Sequence, residues 1–105
     1  EVDAGIGGAV AEAVGRRLHS LSRHHQVICV THLPQIASYA DRHVRVGKRP
    51  ARGRTEVEVD VLDDQGKVRE LARMLAGEKV TPAALRHAAE MRARGHKPSG
   101  PEAGG

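Results

Sequence analysis

The sequence predicts an α/β fold, and three patterns carry that prediction. Residues 9–23 repeat apolar side chains at helical spacing. Residues 26–31 are a short apolar run rich in β-branched residues, and residues 56–61 alternate strictly between acid and valine. A period near 3.6 marks a helix, alternation marks a strand with two unlike faces, and an unbroken apolar run marks a strand covered on both. The expected order is helix, buried parallel strand, short helix, antiparallel hairpin and two C-terminal helices.

In the first helix Val10, Val14, Leu18 and Leu21 form one stripe, with Glu12, Arg16 and Arg23 towards the other side. Gly7-Gly8 precede it and free the backbone for a tight turn. Val27-Ile28-Cys29-Val30 then shows no alternation, as expected of a strand inside a parallel sheet. Such a strand is no sheet by itself, so its neighbours are expected from sequence before Glu1 or from another chain. Pro34 stands where a helix tolerates a missing N–H, at the start of a short helix ending near Tyr39.

His43 to Gly47 reads as a weaker strand, followed by a basic stretch. Val57, Val59 and Val61 alternate with Glu56, Glu58 and Asp60, the pattern of a half-exposed strand. The two strands are expected to pair as a hairpin closed by a long loop from Lys48 to Arg54, not by a tight turn. Residues 67–76 return to helical period, with Val68, Leu71, Ala72 and Leu75 on one face, Met74 in the same core, and Gly77 as a left-handed stop. Thr81-Pro82 is an N-cap followed by Pro at the first helical position, and Gly95 is expected to end that helix after Arg94. Residues 1–94 are one structured portion in this reading. Residues 95–105, rich in Lys, Pro, Ser, Gly and Glu, are expected to be a disordered tail.

Length and composition narrow the class. At 105 residues the ceiling is one domain with a small core. There is no Phe or Trp, and Tyr39 is the only aromatic, so the core is aliphatic. The formal charge of +4 permits a polyanionic partner without requiring one. One cysteine, Cys29, forms no internal disulfide, and no run is long enough for a membrane span. A soluble, cytoplasmic protein without a membrane partner is expected, and the start at Glu1 without Met reads as part of something longer.

Two segments carry chemistry: Glu1-Val2-Asp3 with Gly5-Ile6-Gly7-Gly8, and Val30-Thr31-His32-Leu33-Pro34-Gln35-Ile36-Ala37. A carboxylate opening a Gly-rich turn, then a helix, then an apolar strand ending in Thr-His, is one side of a nucleotide-hydrolysing site. These segments, in this order and separation, resemble the C-terminal end of the RecN family of bacterial DNA repair proteins. That family belongs to the ATP-binding-cassette ATPases and is related to the structural maintenance of chromosomes proteins. Glu70 to Leu75, followed by Gly77, is also similar to it. The resemblance covers roughly residues 1–94.

The resemblance implies a partial P-loop NTPase head of the ATP-binding-cassette type. It implies that Glu1 is the carboxylate after the Walker B strand that polarises the attacking water, and that His32 is the switch histidine reaching the γ-phosphate. Asp3, Gly5, Gly7 and Gly8 match the D-loop region at the interface of two head domains. ATP and Mg²⁺ are the implied ligands, with the Mg²⁺-binding Asp just before Glu1. DNA, a homodimer of heads and a place on the nucleoid are implied through the full-length protein. Position 7 is Gly where the related chromosome proteins carry an Asp, a change that RecN-like chains share.

The chain has no G-x-x-x-x-G-K-[ST] phosphate loop, no Leu-Ser-Gly-Gly signature and no heptads, so by itself it is expected to hydrolyse no ATP. Thr31 and Gln35 read as structural, bonding backbone or capping. The basic run Arg42, Arg45, Lys48, Arg49, Arg52 and Arg54 contains no acid. It reads as a solvated loop, because no aromatics interleave to stack bases. The rival function is a non-enzymatic basic module that binds nucleic acid through this run and the tail, and a third reading is a truncated product inactive on its own. His19, His24, His25, Cys29 and His32 lack metal-ligand spacing, so no metal site is expected.

Overall fold

The computed structural model describes residues 7–95, which form a mixed α/β arrangement. Helix α1 (Gly8–Leu21) and the one-turn α2 (Pro34–Ala37) are followed by strands β1 (Val44–Ala51) and β2 (Arg54–Val61), then helices α3 (Asp64–Ala76) and α4 (Pro82–Gly95). β1 and β2 pair antiparallel, from Val44 opposite Val61 to Ala51 opposite Arg54.

The core lies where α3 and α4 meet. Leu71, Ala72 and Ala88 are buried there, with Ala37, Val68, Met74, Leu75, Ala84 and Leu85 packed against them. Leu71 is the largest fully buried side chain, and its burial is worth roughly 2 kcal/mol. Arg92 Nη2 donates to Asp64 Oδ1 at 2.9 Å and ties the two helices at their ends.

The helix signals act as their chemistry demands. Asp63 Oδ1 accepts from Gly66 N at 2.7 Å, so α3 starts three residues before the expected 67. Gly77 has φ +77°, the positive value expected of a glycine stop. Thr81 Oγ1 accepts from Ala84 N at 3.1 Å and opens α4.

Three expectations are corrected. Residues 26–31 do not form the buried parallel strand: they carry no regular structure, and Ile28 and Val30 are 85% and 71% exposed. A strand exists through its ladder hydrogen bonds, and among the described residues no strand pairs with this run. The hairpin is not closed by a long loop. Both strands extend inward to a two-residue turn at Arg52-Gly53, each with positive φ (45° and 79°), the signature of a type I′ turn. Finally, α1 buries Ala11 and Gly15 rather than the Val10, Val14, Leu18, Leu21 stripe, of which Val10 and Leu21 are exposed. Small residues win because they let the segment after α2 approach closely.

Candidate functional site

His32 stands exposed on the turn between the apolar run and α2. Its neighbours make that turn rigid. Leu33 N donates to Thr31 Oγ1 at 3.0 Å, so the Thr31 hydroxyl shapes the bend around His32. The Leu33 carbonyl then accepts from Ile36 N and Ala37 N, both at 3.1 Å, starting α2 at once. Pro34 and Ile36 are buried and anchor this turn to the body. An imidazole held on such a support can present a hydrogen bond to an outside oxyanion without much reorganisation.

The Gly-rich start of α1 lies beside α2. A Cβ added at Gly8 would stand 3.8 Å from Gln35 Nε2. Farther along, a Cβ on Gly15 would meet Tyr39 Cδ2 at 2.7 Å and the Gln35 carbonyl oxygen at 3.0 Å. Glycine at position 15 therefore sets the distance between α1 and the α2 segment. Tyr39 fills that contact, with His19 tilted against it at 6.1 Å between ring centres. Burial and the Glu12 carboxylate both raise the Tyr39 pKa.

Gln35 is the unexpected member of the group. Its Oε1 is buried without a hydrogen-bond partner among the described residues. Leaving such an acceptor unpaired costs about 1–3 kcal/mol. It borders a cavity of about 20 Å³ lined by Glu12, Gln35, Ser38, Tyr39, Met91 and Arg94. The cavity lies where α1, the α2 segment and α4 converge. At the same junction Gly95 packs on Ser38, since a Cβ there would meet its carbonyl oxygen at 2.7 Å.

A second polar cluster holds the connection from α2 to the hairpin. Glu70 is buried and accepts from Arg73 Nε at 2.8 Å and Nη2 at 2.6 Å. Those bonds hold the Glu70 carboxyl below its usual range. His43 is half-buried, and burial lowers its pKa although Glu70 opposes the shift. Lys67 Nζ donates to the Asp41 carbonyl at 2.9 Å and pins the same connection to α3.

Of the expected site residues, His32, Gly7 and Gly8 are described, whereas Glu1, Asp3 and Gly5 lie outside the described residues, as does the tail beyond Gly95. The fold brings Gly8 next to the helix that follows His32. Among the described residues no cluster of three or more His, Cys, Asp or Glu is arranged to hold a metal. No described helix is long and apolar enough to cross a membrane. The basic run does not form a loop of unneutralised charge: Arg45 meets Asp60 at 3.1 Å, Arg49 meets Glu56 at 3.5 Å and Glu58 at 3.3 Å, and Arg54 meets Glu56 at 3.9 Å. The strand register brings Asp60, Glu56 and Glu58 to Arg45 and Arg49, and Arg54 meets Glu56 within β2.

Comparison with known proteins gives this geometry a context. No protein-family model matches the chain. The DNA repair protein RecN of Streptomyces coelicolor is 50% identical over 91 residues, 87% of this chain. RecN of Xylella fastidiosa (strain Temecula1) is 49% identical over 89 residues, 85% of the chain. RecN of Bacillus subtilis is 46% identical over 91 residues, again 87% of the chain. In each case the match spans only 16% of the relative's own length. Over the matched residues, the chain belongs to the RecN family of DNA repair proteins.

Proposed function

We propose that this chain supplies one side of an ATP-hydrolysing site in a RecN-type protein acting in DNA double-strand break repair. Glu1 polarises the water that attacks the γ-phosphate, and His32 donates a hydrogen bond to that phosphate as charge develops on it. Phosphoryl transfer asks the protein mainly for positioning and electrostatic stabilisation, and a carboxylate and an imidazole provide both. In this reading the Gly-rich segment from Asp3 to Gly8 meets the partner head at the contact between two ATPase heads of the ATP-binding-cassette type. The phosphate loop comes from other parts of the protein. No cluster of three or more His, Cys, Asp or Glu is present among the described residues, and a carboxylate ligand for Mg²⁺ would come from outside them.

The observation that carries this reading is the exposed His32 on a turn held by the Thr31 hydroxyl, which leads into the helix α2 that lies near the Gly8 start of α1 through Gln35. The cross-strand ion pairs of Arg45 and Arg49 and the Arg54–Glu56 pair within β2 tell against the rival basic module, because they offset those three positive charges. The reading also accounts for the exposed apolar run at 26–31, which would gain its neighbouring strands within the larger head.

The test uses a full-length RecN-type protein carrying this segment. Glu1→Gln and His32→Ala each lower kcat by about 10²-fold or more while ATP binding persists. Full turnover in the His32→Ala protein overturns the assignment. The 105-residue chain alone releases no phosphate from ATP, and robust Mg²⁺-dependent turnover by it overturns the proposal that the site is shared.

A further inference from the structure

Helix α1 has one side that packs and another that carries charge. Ala11 and Gly15 are buried, with Gly15 against Tyr39 and the Gln35 carbonyl. At about 3.6 residues per turn, Ala13, Arg16, Arg17 and Ser20 lie on the opposite side, and all four are exposed. The turn after Leu21 keeps the helical path: Arg23 N donates to the Ser20 carbonyl at 3.3 Å, and His25 N to the Leu21 carbonyl at 3.1 Å. Arg23 and His24, both exposed, therefore continue the same stripe.

The stripe itself contains no Asp or Glu. Glu12, the one acid of α1, stands at its edge: it borders the cavity with Tyr39 and Arg94, and it meets Arg16 only at 3.9 Å. Asp41 meets His19 at 3.7 Å, on the neighbouring flank. Arg17 forms no ion pair among the described residues. The helix macrodipole favours cations in the last turn, but Arg16 and Arg17 precede that turn. Their charge faces outward without a use inside the fold.

The shape and chemistry of the stripe select its partner. From Arg16 to His24 it runs about 12 Å at about 1.5 Å per residue. A single phosphate is too small to meet that length, whereas a duplex presents a charge about every 1.7 Å along its axis. Guanidinium groups also suit phosphate oxygens, which they bind two at a time. The other residues on the stripe, Ala13 and Ser20, give no apolar centre for a protein interface or a membrane surface. No aromatic side chain is there to stack unpaired bases. Arg16 also stands about 12 Å along the axis from Gly8, away from the proposed hydrolytic site. We propose that the outer face of α1, from Arg16 to His24, is a contact for the phosphate backbone of double-stranded DNA. The contact is on α1 and not on the hairpin, whose arginines have acids beside them. It positions the duplex without reading its sequence.

The test is the double variant Arg16→Gln, Arg17→Gln in a full-length RecN-type protein carrying this segment. Glutamine matches arginine closely in helix propensity, so the melting temperature stays as it was. A fluorescent mixed-sequence duplex is titrated over a salt series without nucleotide, so the outcome does not depend on hydrolysis. Affinity falls about tenfold at fixed salt, and the slope of log affinity against log salt becomes shallower by about 2. Ser20→Glu, an acid placed within the stripe, weakens binding in the same direction. A slope unchanged in the double variant overturns the proposal, whatever the affinity does. Lys48→Gln with Arg52→Gln, at the hairpin tip, leaves affinity and slope as in the parent. Equal losses there show an effect of net charge and overturn the placement on α1. Polyglutamate that binds the parent as tightly as the duplex, and is weakened as much by the double variant, overturns DNA in favour of an acidic protein partner.

Discussion

At Gly15 a single hydrogen atom sets how closely two segments pack. Alanine there is favoured by helix propensity, by about 1 kcal/mol over glycine. Its methyl, however, would lie 2.7 Å from a Tyr39 ring carbon and 3.0 Å from the Gln35 carbonyl oxygen. The ring can turn, but the carbonyl belongs to the backbone of the α2 turn and cannot yield cheaply. Overpacking of this kind costs about 1–3 kcal/mol, so Gly15→Ala lowers stability by a net amount of about 1 kcal/mol. Urea unfolding followed by circular dichroism checks this. Tyr39→Ala in the same background recovers only part of the loss, since it removes one of the two contacts and the effects of touching residues do not add.

Glu70 gives a residue-scale prediction with a pH sign. Arg73 holds its carboxyl below the ordinary value of 4.5, so the folded form binds its proton less readily than the unfolded chain does. The resulting stabilisation is complete above that ordinary value and is lost as pH falls through the lower folded value. Arg73 is half-exposed, and solvent screening keeps the contribution near about 1 kcal/mol. Glu70→Gln therefore unfolds at lower urea than the parent at neutral pH, and the two midpoints converge as pH falls below the ordinary value of 4.5. A gap that stays constant across that range assigns the loss to packing instead of charge. The pairing was partly legible in the sequence, since Glu70 and Arg73 are three apart on a helix. The unpaired acceptor of Gln35 was not, because it depends on α1 and α4 meeting α2 from far along the chain.

Among the elements, the hairpin separates what local pattern reveals from what it hides. Alternation of Val57, Val59 and Val61 with acids located β2 correctly. β1 was underestimated because Lys48, Arg49 and Pro50 read as loop, and the basic run was judged without the acids opposite it. Register supplies them: Arg45 faces Asp60 and Arg49 faces Glu56. Pro50 fits because the strands run to the end of a two-stranded sheet, where a missing donor is tolerated. The turn demands positive φ at both Arg52 and Gly53, and arginine meets that demand poorly. Arg52→Asn is therefore expected to stabilise the hairpin by about 0.5–1 kcal/mol, and Gly53→Ala to destabilise it by about 1 kcal/mol. Cross-strand nuclear Overhauser effects between Val46 and Val59, followed against temperature, give the order Arg52→Asn, parent, Gly53→Ala. The helices were legible for the opposite reason. Their caps at Asp63 and Thr81 and the stop at Gly77 are local chemistry, independent of what packs on them.

Across the whole molecule, the buried residues and the apolar residues do not coincide. The buried core is small and rests on α3 and α4, whereas Val44, Val46, Val57, Val59 and Val61 are 42–66% exposed on one face of the hairpin. The opposite face satisfies its charges with its own ion pairs, so the polarity of the hairpin is clear: the charged side faces water, and the valine side is suited to burial. Ile28 and Val30 add a second exposed apolar strip. A chain with these surfaces associates with itself when nothing else covers them. Val46 and Val59 are direct cross-strand partners at the middle of the valine face, so replacing both by threonine removes apolar surface while keeping β-branched side chains that suit a strand. For the 105-residue chain, sedimentation equilibrium over a concentration series shows the parent associating and the double-threonine variant shifted towards monomer, with its far-ultraviolet circular dichroism unchanged. In a full-length RecN-type protein the same pair acts the other way. There the face is expected to be covered, and two buried hydroxyls without partners lower the melting temperature. Improved solubility alone and lost stability in the larger protein follow from one cause. A variant that leaves self-association of the isolated chain unchanged shows that the valine face is not the adhesive surface.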